Sequence, residues 1–416
     1  MTTDWSQVAR HAIVVRYDDA WVMGGARTPF ADYCGVLAQV NPIDLGIKAA
    51  KAALERAGVE PAAVRATFAA TVSPGGFDYL FLPRHIALYA GVPRERPALQ
   101  ATRVCCTGFE LVAQAAQSIS TKAIDVALCV GTESMSRHPL AAYTHRTGFK
   151  LGQVEFGDML WEGSQDPSNG TNMGLTAENL ARLYQITRTE ADAYAALSFA
   201  RAVEAQKRGA LAEEIVPLAS ETFELEDHEP RRIALPRSVP ELREDTHIRP
   251  TTVEQLARIK PAFGGVQTGG NSSAIVDGAA GVVVAGGDAA RSGETLGRVV
   301  ASAVVGVPPE IMGIGPVPAV RALLDAFDLS LDDIDRFEIN EAFAAQTLAC
   351  VRALDLDVER LNVNGGAIAF GHPLAATGVR ATLSALLELR RRGLKRAIVT
   401  ACAGGGQGMA LLLEAA

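Results

Sequence analysis

The chain has 416 residues, 48% of them hydrophobic and 6% aromatic, enough apolar mass for roughly two to three domain-sized units around buried cores. A net charge of −8 argues against nucleic acid as a main partner, and no run reaches the length of a membrane span. Six cysteines without a C-x-x-C pair, and seven histidines without metal-ligand spacing, argue against a disulfide framework or a zinc site and for reduced thiols in a cytoplasmic compartment.

The opening stretch MTTDWSQVARHAIVVRYDDA carries Asp4, Asp18 and Asp19 and lacks a sustained apolar run, so it resembles neither a secretory signal nor a transit peptide. Ala- and Leu-rich periodicity predicts a helix over 43–57. At 102–111 the stretch TRVCCTGFEL sets Cys105 and Cys106 ahead of Thr-Gly and a second helix over 108–120, which leads into a buried strand at 124–131. Between 135 and 262 the texture turns polar and charge-bearing, with helical signals at 176–184 and 189–208, and reads as an insertion on the core and not as a linker. Strands at 280–286 and 396–403 and helices at 317–327 and 377–392 complete an alternation that predicts an α/β protein with buried strands.

The two ends of the chain share a register. At a constant offset of 270, ALERAGVEPAAVRATF (53–68) lies over LLDAFDLSLDDIDRFE (323–338), pairing Leu54 with Leu324 and Val64 with Ile334. The same offset lays VCCTG (104–108) over LAATG (374–378), and in both copies Thr-Gly opens a helix that leads into a strand. The expected organisation is therefore an N-terminal half over 1–134, completed by 263–290, an inserted loop domain over 135–262, and a C-terminal half over 291–416. Duplicated halves commonly meet at a pseudo-twofold axis, where loops from both copies can build one site.

The second copy carries INEAFAAQ (339–346), NVNGGAIAFGHPLAATG (362–378) and ACAGGGQGMA (401–410). With GARTPF (25–30), RVCCTG (103–108), GTESMS (131–136), NMGLTAEN (172–179), GGNSSAIVDGAA (269–280) and IMGIGPVPA (311–319), in that order over nearly the whole chain, they resemble the thiolase family. The glycines of ACAGGGQG also raise a dinucleotide-binding loop, but only ten residues follow Gly406, too few for the rest of a nucleotide fold. The resemblance implies the thiolase fold, an α/β architecture whose duplicated halves stack in α/β/α/β/α layers with an inserted loop domain, 135–262, that binds coenzyme A. It implies an acyltransferase of fatty acid metabolism that condenses or cleaves coenzyme A thioesters, with those thioesters as substrates and no further cofactor. It also implies a homodimer or homotetramer.

Residue by residue, the resemblance places the acylated nucleophile at Cys105, and a thiol just ahead of a helix N-terminus sits in positive potential expected to lower its pKa. Cys106 stands where the family has Gly or Ser and reads as a small buried side chain. His372 matches the histidine that activates the nucleophile, and Cys402, after the strand RAIVTA, matches the acid/base that moves a proton on the acetyl α-carbon. The amides of Cys105 and Gly404 would face the thioester oxygen, and Asn340 would hold a water that forms a second oxyanion hole with His372. Ser273 and Phe263 match positions near the pantetheine, Arg249 a nucleotide contact, and Met173, Met312 and Phe343 the acyl pocket.

Three departures surround the pocket: Asn172 where many short-chain members have His, TVSPGGFDYLFLPRHIAL (71–88) in place of the usual stretch before the nucleophile, and a short 264–271 loop. With less bulk at 172, acyl groups longer than acetoacetyl are expected to fit. A ketoacyl synthase-like condensing enzyme would carry a second His at the Cys402 position, and a non-catalytic lipid carrier or scaffold would be free to lose Cys105, His372 or Cys402; the sequence retains all three.

Overall fold

The computed structural model describes residues 4–143 and 145–416. The first half is built from β1 (Trp21–Arg27), α1 (Pro42–Ala57), β2 (Ala66–Ala70), α2 (Thr107–Ser120) and β3 (Val126–Ser134). Asn41 caps α1 through a 2.9 Å bond from the Ile43 amide, Pro42 pre-sets its first turn, and Gly58 closes it at φ +62°. Two helices, α3 (Met173–Leu183) and α4 (Arg188–Lys207), belong to the long connection, after which β4 (Val276–Ala285) returns to the core. The second half comprises β5 (Gly297–Gly306), α5 (Pro316–Phe327), β6 (Arg336–Ile339), α6 (Ala344–Leu354), α7 (Leu374–Arg392), β7 (Arg396–Ala403) and β8 (Gln407–Ala415).

Strand order makes the duplication visible. The first half runs β2-β3-β4-β1 and the second β6-β7-β8-β5, each with one parallel pair at its outer end and antiparallel pairs within. The two runs join where Trp21 and Val22 of β1 pair with Arg298 and Gly297 of β5. Every residue of β3 and of β4 is buried, which their near-continuous Val, Ala, Cys and Gly content allows. The sequence expectation that 280–286 forms the strand holds, with a start four residues earlier.

Helix α1 covers the outer face of the first sheet half and α5 that of the second, while α2 and α7 pack on each other between them and touch strands of both. This is the expected α/β/α/β/α layering. The central pair comes together at the paired glycines of the duplication. A β-carbon on Gly108 would fall 2.6 Å from the Ala375 carbonyl oxygen and the Val379 amide, and one on Gly378 would fall 2.2 Å from the Phe109 amide. Backbone therefore touches backbone, and only glycine allows it.

The two copies start their central helices differently. In the first, Val104 at φ +46° interrupts the chain and the helix begins at Thr107, whereas in the second the helix begins at Leu374, directly after Pro373 and a turn before its Thr-Gly. A β-branched residue in the left-handed region is strained by about 1–3 kcal/mol. That strain lies one residue before Cys105.

The long connection is pinned to the first half by a buried charge cluster. Arg27 of β1, fully buried, donates to Glu214 at 2.6 Å and to both oxygens of Asp245 at 2.6 and 2.8 Å, and Asp245 also accepts the Phe30 amide at 2.7 Å. The arginine of GARTPF is thus a staple for the insertion.

Gly108→Ala is expected to lower the free energy of unfolding by about 1–3 kcal/mol, the usual cost of overpacking a tight core. Gly269→Ala, whose β-carbon would meet nothing within 4 Å, should stay within about 0.5 kcal/mol of the parent. Urea unfolding of both at one protein concentration measures the difference, and equal stabilities would contradict the backbone contact.

Candidate active site

Cys105 lies in the turn between the strained Val104 and α2, half-buried. Burial pushes its thiol up to about 11; the Gly404 amide and its own amide both draw it back down. The helix-terminus expectation of a lowered pKa is therefore corrected: desolvation outweighs the two amides. Both amides nevertheless reach the Cys105 sulfur.

Cys106 faces the other way. Its thiol is fully buried and donates to the Ala401 carbonyl at 3.3 Å, in the core between α2 and β7. This answers the paired cysteines: one turns toward the site, and its neighbour fills the interior.

His372 is buried, with its amide donating to Ala274 O at 3.0 Å. Its Nδ1 lies 2.6 Å from the Thr377 hydroxyl, and its Nε2 lies 3.3 Å from Asn340 Nδ2. Burial first, and then the charge of Arg380, hold its pKa down to about 3, so the ring is neutral through the physiological range. Asn340 leaves the end of β6, its amide bonded to Thr400 O at 2.9 Å, and its Oδ1 is buried without a hydrogen-bond partner among the described residues. An orphaned carbonyl beside a histidine is a fitting seat for a bridging water.

Cys402, at the end of β7, is fully buried. Desolvation, followed by the proximity of Cys105 and Cys106, pushes its thiol well above the ordinary range. It packs in a small apolar cluster with Met312 and Ala342, flanked by Met173 and Phe343. Gly404 is close by, since a β-carbon there would lie 3.5 Å from Met173 Sδ and 3.9 Å from Val104. Met173, Met312, Phe343, Gly404 and Cys402 are thus brought together around one apolar wall beside Cys105.

Among the carrier-binding residues, Ser273 is close to this centre, its amide bonded to Ala342 O at 3.0 Å. Phe263 lies against α3, where Gly174 makes room for it: a β-carbon on Gly174 would fall 1.9 Å from Phe263 Cε2. Arg249 sits outside the catalytic cluster and is exposed, its guanidinium 5.1 Å over the Phe199 ring and bonded to His247 O at 2.9 Å. Asn172 has a local role. Its Oδ1 accepts the Leu175 amide at 2.8 Å and caps α3, a role a short polar side chain fills readily.

Two buried carboxylates that sequence reasoning quoted inside motifs but gave no role turn out to organise these loops. Glu133, at the end of β3, accepts from the Val72, Ser73 and Ala375 amides and from the Thr71 hydroxyl at 2.8–3.2 Å, with His138 Nε2 at 3.2 Å. Glu341 accepts from Tyr194, Ser198, Asn362 and the Ile368 amide at 2.7–3.1 Å. Their signal in sequence was a charged residue inside an otherwise small or apolar run, at a strand end.

Similarity to known proteins agrees with this arrangement. The signature described as "Thiolase, N-terminal domain" matches residues 20–288, and "Thiolase, C-terminal domain" matches residues 294–415. The chain is 42% identical over 400 residues to the mitochondrial 3-ketoacyl-CoA thiolase of Homo sapiens, covering 95% of this chain and 98% of that one. It is 39% identical over 399 residues to the acetyl-CoA acetyltransferase of Rhizobium meliloti, covering 94% and 98%. The crystal structure of human mitochondrial 3-ketoacyl-CoA thiolase in complex with CoA superimposes with a TM-score of 0.88 at 41% identity, covering 96% of this chain and 98% of that chain.

Exposure predicts which thiols react. Iodoacetamide on the folded protein should label Cys34, which is exposed, and Cys105, which is half-buried, and spare the buried Cys106, Cys129, Cys350 and Cys402. Peptide mass spectrometry locates the adducts. Label on Cys106 ahead of Cys105 would show that the two adjacent side chains point opposite to the directions described.

Proposed function

The chain belongs to the thiolase family, and from that premise we infer that its acyl transfer between coenzyme A thioesters runs through an acyl intermediate on Cys105. It is an acyltransferase of the 3-ketoacyl-CoA thiolase and acetyl-CoA acetyltransferase kind, joining two acyl-CoA units or cleaving a 3-ketoacyl-CoA with CoA. The observations that carry the mechanism are the contact of His372 with Asn340 in the second half and the nearness of Cys402 to Cys105 across the two halves.

In the condensing direction, His372 Nε2 takes the Cys105 proton as sulfur bonds to the acyl carbon, and the bond from that carbon to the CoA sulfur breaks. The amides of Cys105 and Gly404 receive the tetrahedral oxyanion. CoA leaves with the proton from His372. Cys402 yields its own proton to solvent and then takes an α-proton from bound acetyl-CoA, and the enolate oxygen accepts from a water held by Asn340. The enolate carbon bonds to the acyl carbon as that carbon's bond to the Cys105 sulfur breaks, and the Cys402 proton passes to that sulfur to restore the Cys105 thiol. Run in reverse, Cys402 as thiol protonates the departing acetyl-CoA enolate. The high pKa that burial gives Cys402 supports that acid role, since the group rests protonated. Each step uses this chain's groups, the thioester and water alone, so we propose no further cofactor.

We assign coenzyme A to contacts with Ser273, Phe263 and Arg249. Met173, Met312 and Phe343 border the acyl chain. The setting we propose is fatty acid metabolism in a reducing, cytoplasmic compartment, supported by the exposed free thiol of Cys34. A homodimer or homotetramer is supported by the exposed Phe77, Leu80 and Phe81, and by the cluster of exposed apolar side chains from Leu140 to Trp161. No helix among the described residues is long and apolar enough to cross a membrane.

Two measurements test this reading. Cys402→Ser should still accept an acetyl group on Cys105, seen by intact-protein mass spectrometry, yet exchange the α-protons of acetyl-CoA about 100- to 10,000-fold more slowly; exchange at the parent rate would remove Cys402 from the mechanism. Thiolysis of 3-ketoacyl-CoA substrates should continue beyond four carbons, with a slope across chain length of the order expected when a methylene is worth roughly 1–3 kcal/mol. Collapse of activity at six carbons would instead define a dedicated acetoacetyl-CoA enzyme.

A further inference from the structure

His372 can serve as a base only through the nitrogen that lacks a proton, and in a neutral imidazole the partner of one nitrogen decides the state of the other. Here Nδ1 faces the Thr377 hydroxyl at 2.6 Å. Thr377 lies one turn into α7 and is itself buried, and its hydroxyl has a second neighbour, the Pro373 carbonyl at 3.1 Å. A carbonyl can only accept, so when the single hydroxyl proton goes to Pro373 the hydroxyl oxygen accepts from Nδ1–H. On the other side, Nε2 faces the amide nitrogen of Asn340 at 3.3 Å, a donor that a bare ring nitrogen receives. Both contacts fit one tautomer, with the proton on Nδ1 and Nε2 bare.

We propose that Thr377 is a positioning residue that holds His372 with its proton on Nδ1, leaving the Nε2 lone pair to take the Cys105 proton. The inference rests on the assignment of His372 as that base. During acetylation the Cys105 S–H bond breaks and an Nε2–H bond forms, giving an imidazolium whose Nδ1–H still donates to Thr377. The sulfur bonds to the acetyl carbon, the carbon–sulfur bond to CoA breaks, and the CoA thiolate leaves with the Nε2 proton. Thr377 neither gains nor loses a proton at any point. Its place in α7 matters, because the Ala375 amide of the same turn is held by Glu133 at 3.1 Å, so the hydroxyl is fixed relative to both halves of the molecule.

The test compares wild type, Thr377→Val, Thr377→Ser and His372→Ala in single-turnover acetylation by acetyl-CoA, read by rapid quench and intact mass, together with two-bond nitrogen–proton correlation spectra of protein labelled with 15N-histidine. With seven histidines in the chain, the His372 signal is identified by its loss in His372→Ala. Wild type should show the proton on Nδ1. Thr377→Val should acetylate on the order of 10- to 100-fold more slowly, as expected when the partner orienting an active imidazole is removed, with little change in acetyl-CoA affinity and with Nε2 protonated in part of the population. Thr377→Ser, which keeps the hydroxyl, should recover most of the rate. A wild-type spectrum with the proton on Nε2 overturns the proposal without recourse to any variant, so a folding failure of Thr377→Val leaves it decidable. Acetylation of Thr377→Val at the parent rate, while His372→Ala is inactive, overturns the role of Thr377 alone. Acetylation of His372→Ala at the parent rate removes the base assignment and the inference with it.

Discussion

The contact between Gly108 and the α7 backbone, with its counterpart between Gly378 and α2, sets where the chemistry can take place. Each glycine meets main-chain atoms of the opposite helix at distances that leave no room for a β-carbon. The helices are locked where they cross, and the loops that feed them are locked with them. Cys105 stands three residues before Gly108, and His372 stands six before Gly378. Nucleophile and base therefore come from opposite halves but share one point of fixation, and close packing transmits any shift of that point to both. Glu133 reinforces the arrangement by bonding the first half's 71–73 loop and the first turn of α7 with one carboxylate.

The site that results is largely buried and uncharged at rest. Burial raises both reactive thiols and lowers the imidazole, so no thiolate–imidazolium pair precedes the substrate. The amides of Cys105 and Gly404 have no anion to stabilise until a thioester carbonyl becomes tetrahedral. Donors that are already oriented then act in a low dielectric, where they are worth more than in water. The strained Val104 belongs to the same design. Its left-handed conformation stops α2 from extending backwards and so turns Cys105 toward the site while Cys106 turns into the core.

Much of this was legible in the sequence because duplication leaves a register as well as a composition. The offset of 270 paired Leu54 with Leu324 and Val64 with Ile334, all four of which are buried, and it paired the two glycines that touch at the centre. What was not legible is what depends on the third dimension. A helix-mouth thiol reads as acidic from sequence, yet its pKa is set by how much water the surrounding loops exclude. Asn172 reads from its motif only as a departure near the pocket, and that its short side chain caps its own helix is visible only in three dimensions. Strand β1 was missed because WVMGGAR has two glycines and no alternation; it is buried on both faces, and Gly24 and Gly25 lie where neighbouring chain passes within 3 Å of their β-carbon positions.

The motifs divide accordingly into those that react and those that hold. GARTPF supplies Arg27, whose guanidinium joins Glu214 and Asp245 in a buried cluster and fixes the insertion to β1. NEAF supplies Asn340 to the site, but its neighbour Glu341 faces away, collecting Tyr194 and Ser198 of α4 and the backbone of the loop that precedes His372. The insertion is thus tied to the first half by an ion cluster and to the second by a hydrogen-bonded carboxylate. An isolated buried charge is costly unless it is paired or hydrogen-bonded, so each anchor is satisfied only when the insertion is seated. Seating the insertion also places Met173 against Gly404 and Phe263 in the space left by Gly174. The pocket wall and the catalytic loops are therefore completed by the same folding event, and charged residues remote from the reacting sulfur hold its geometry.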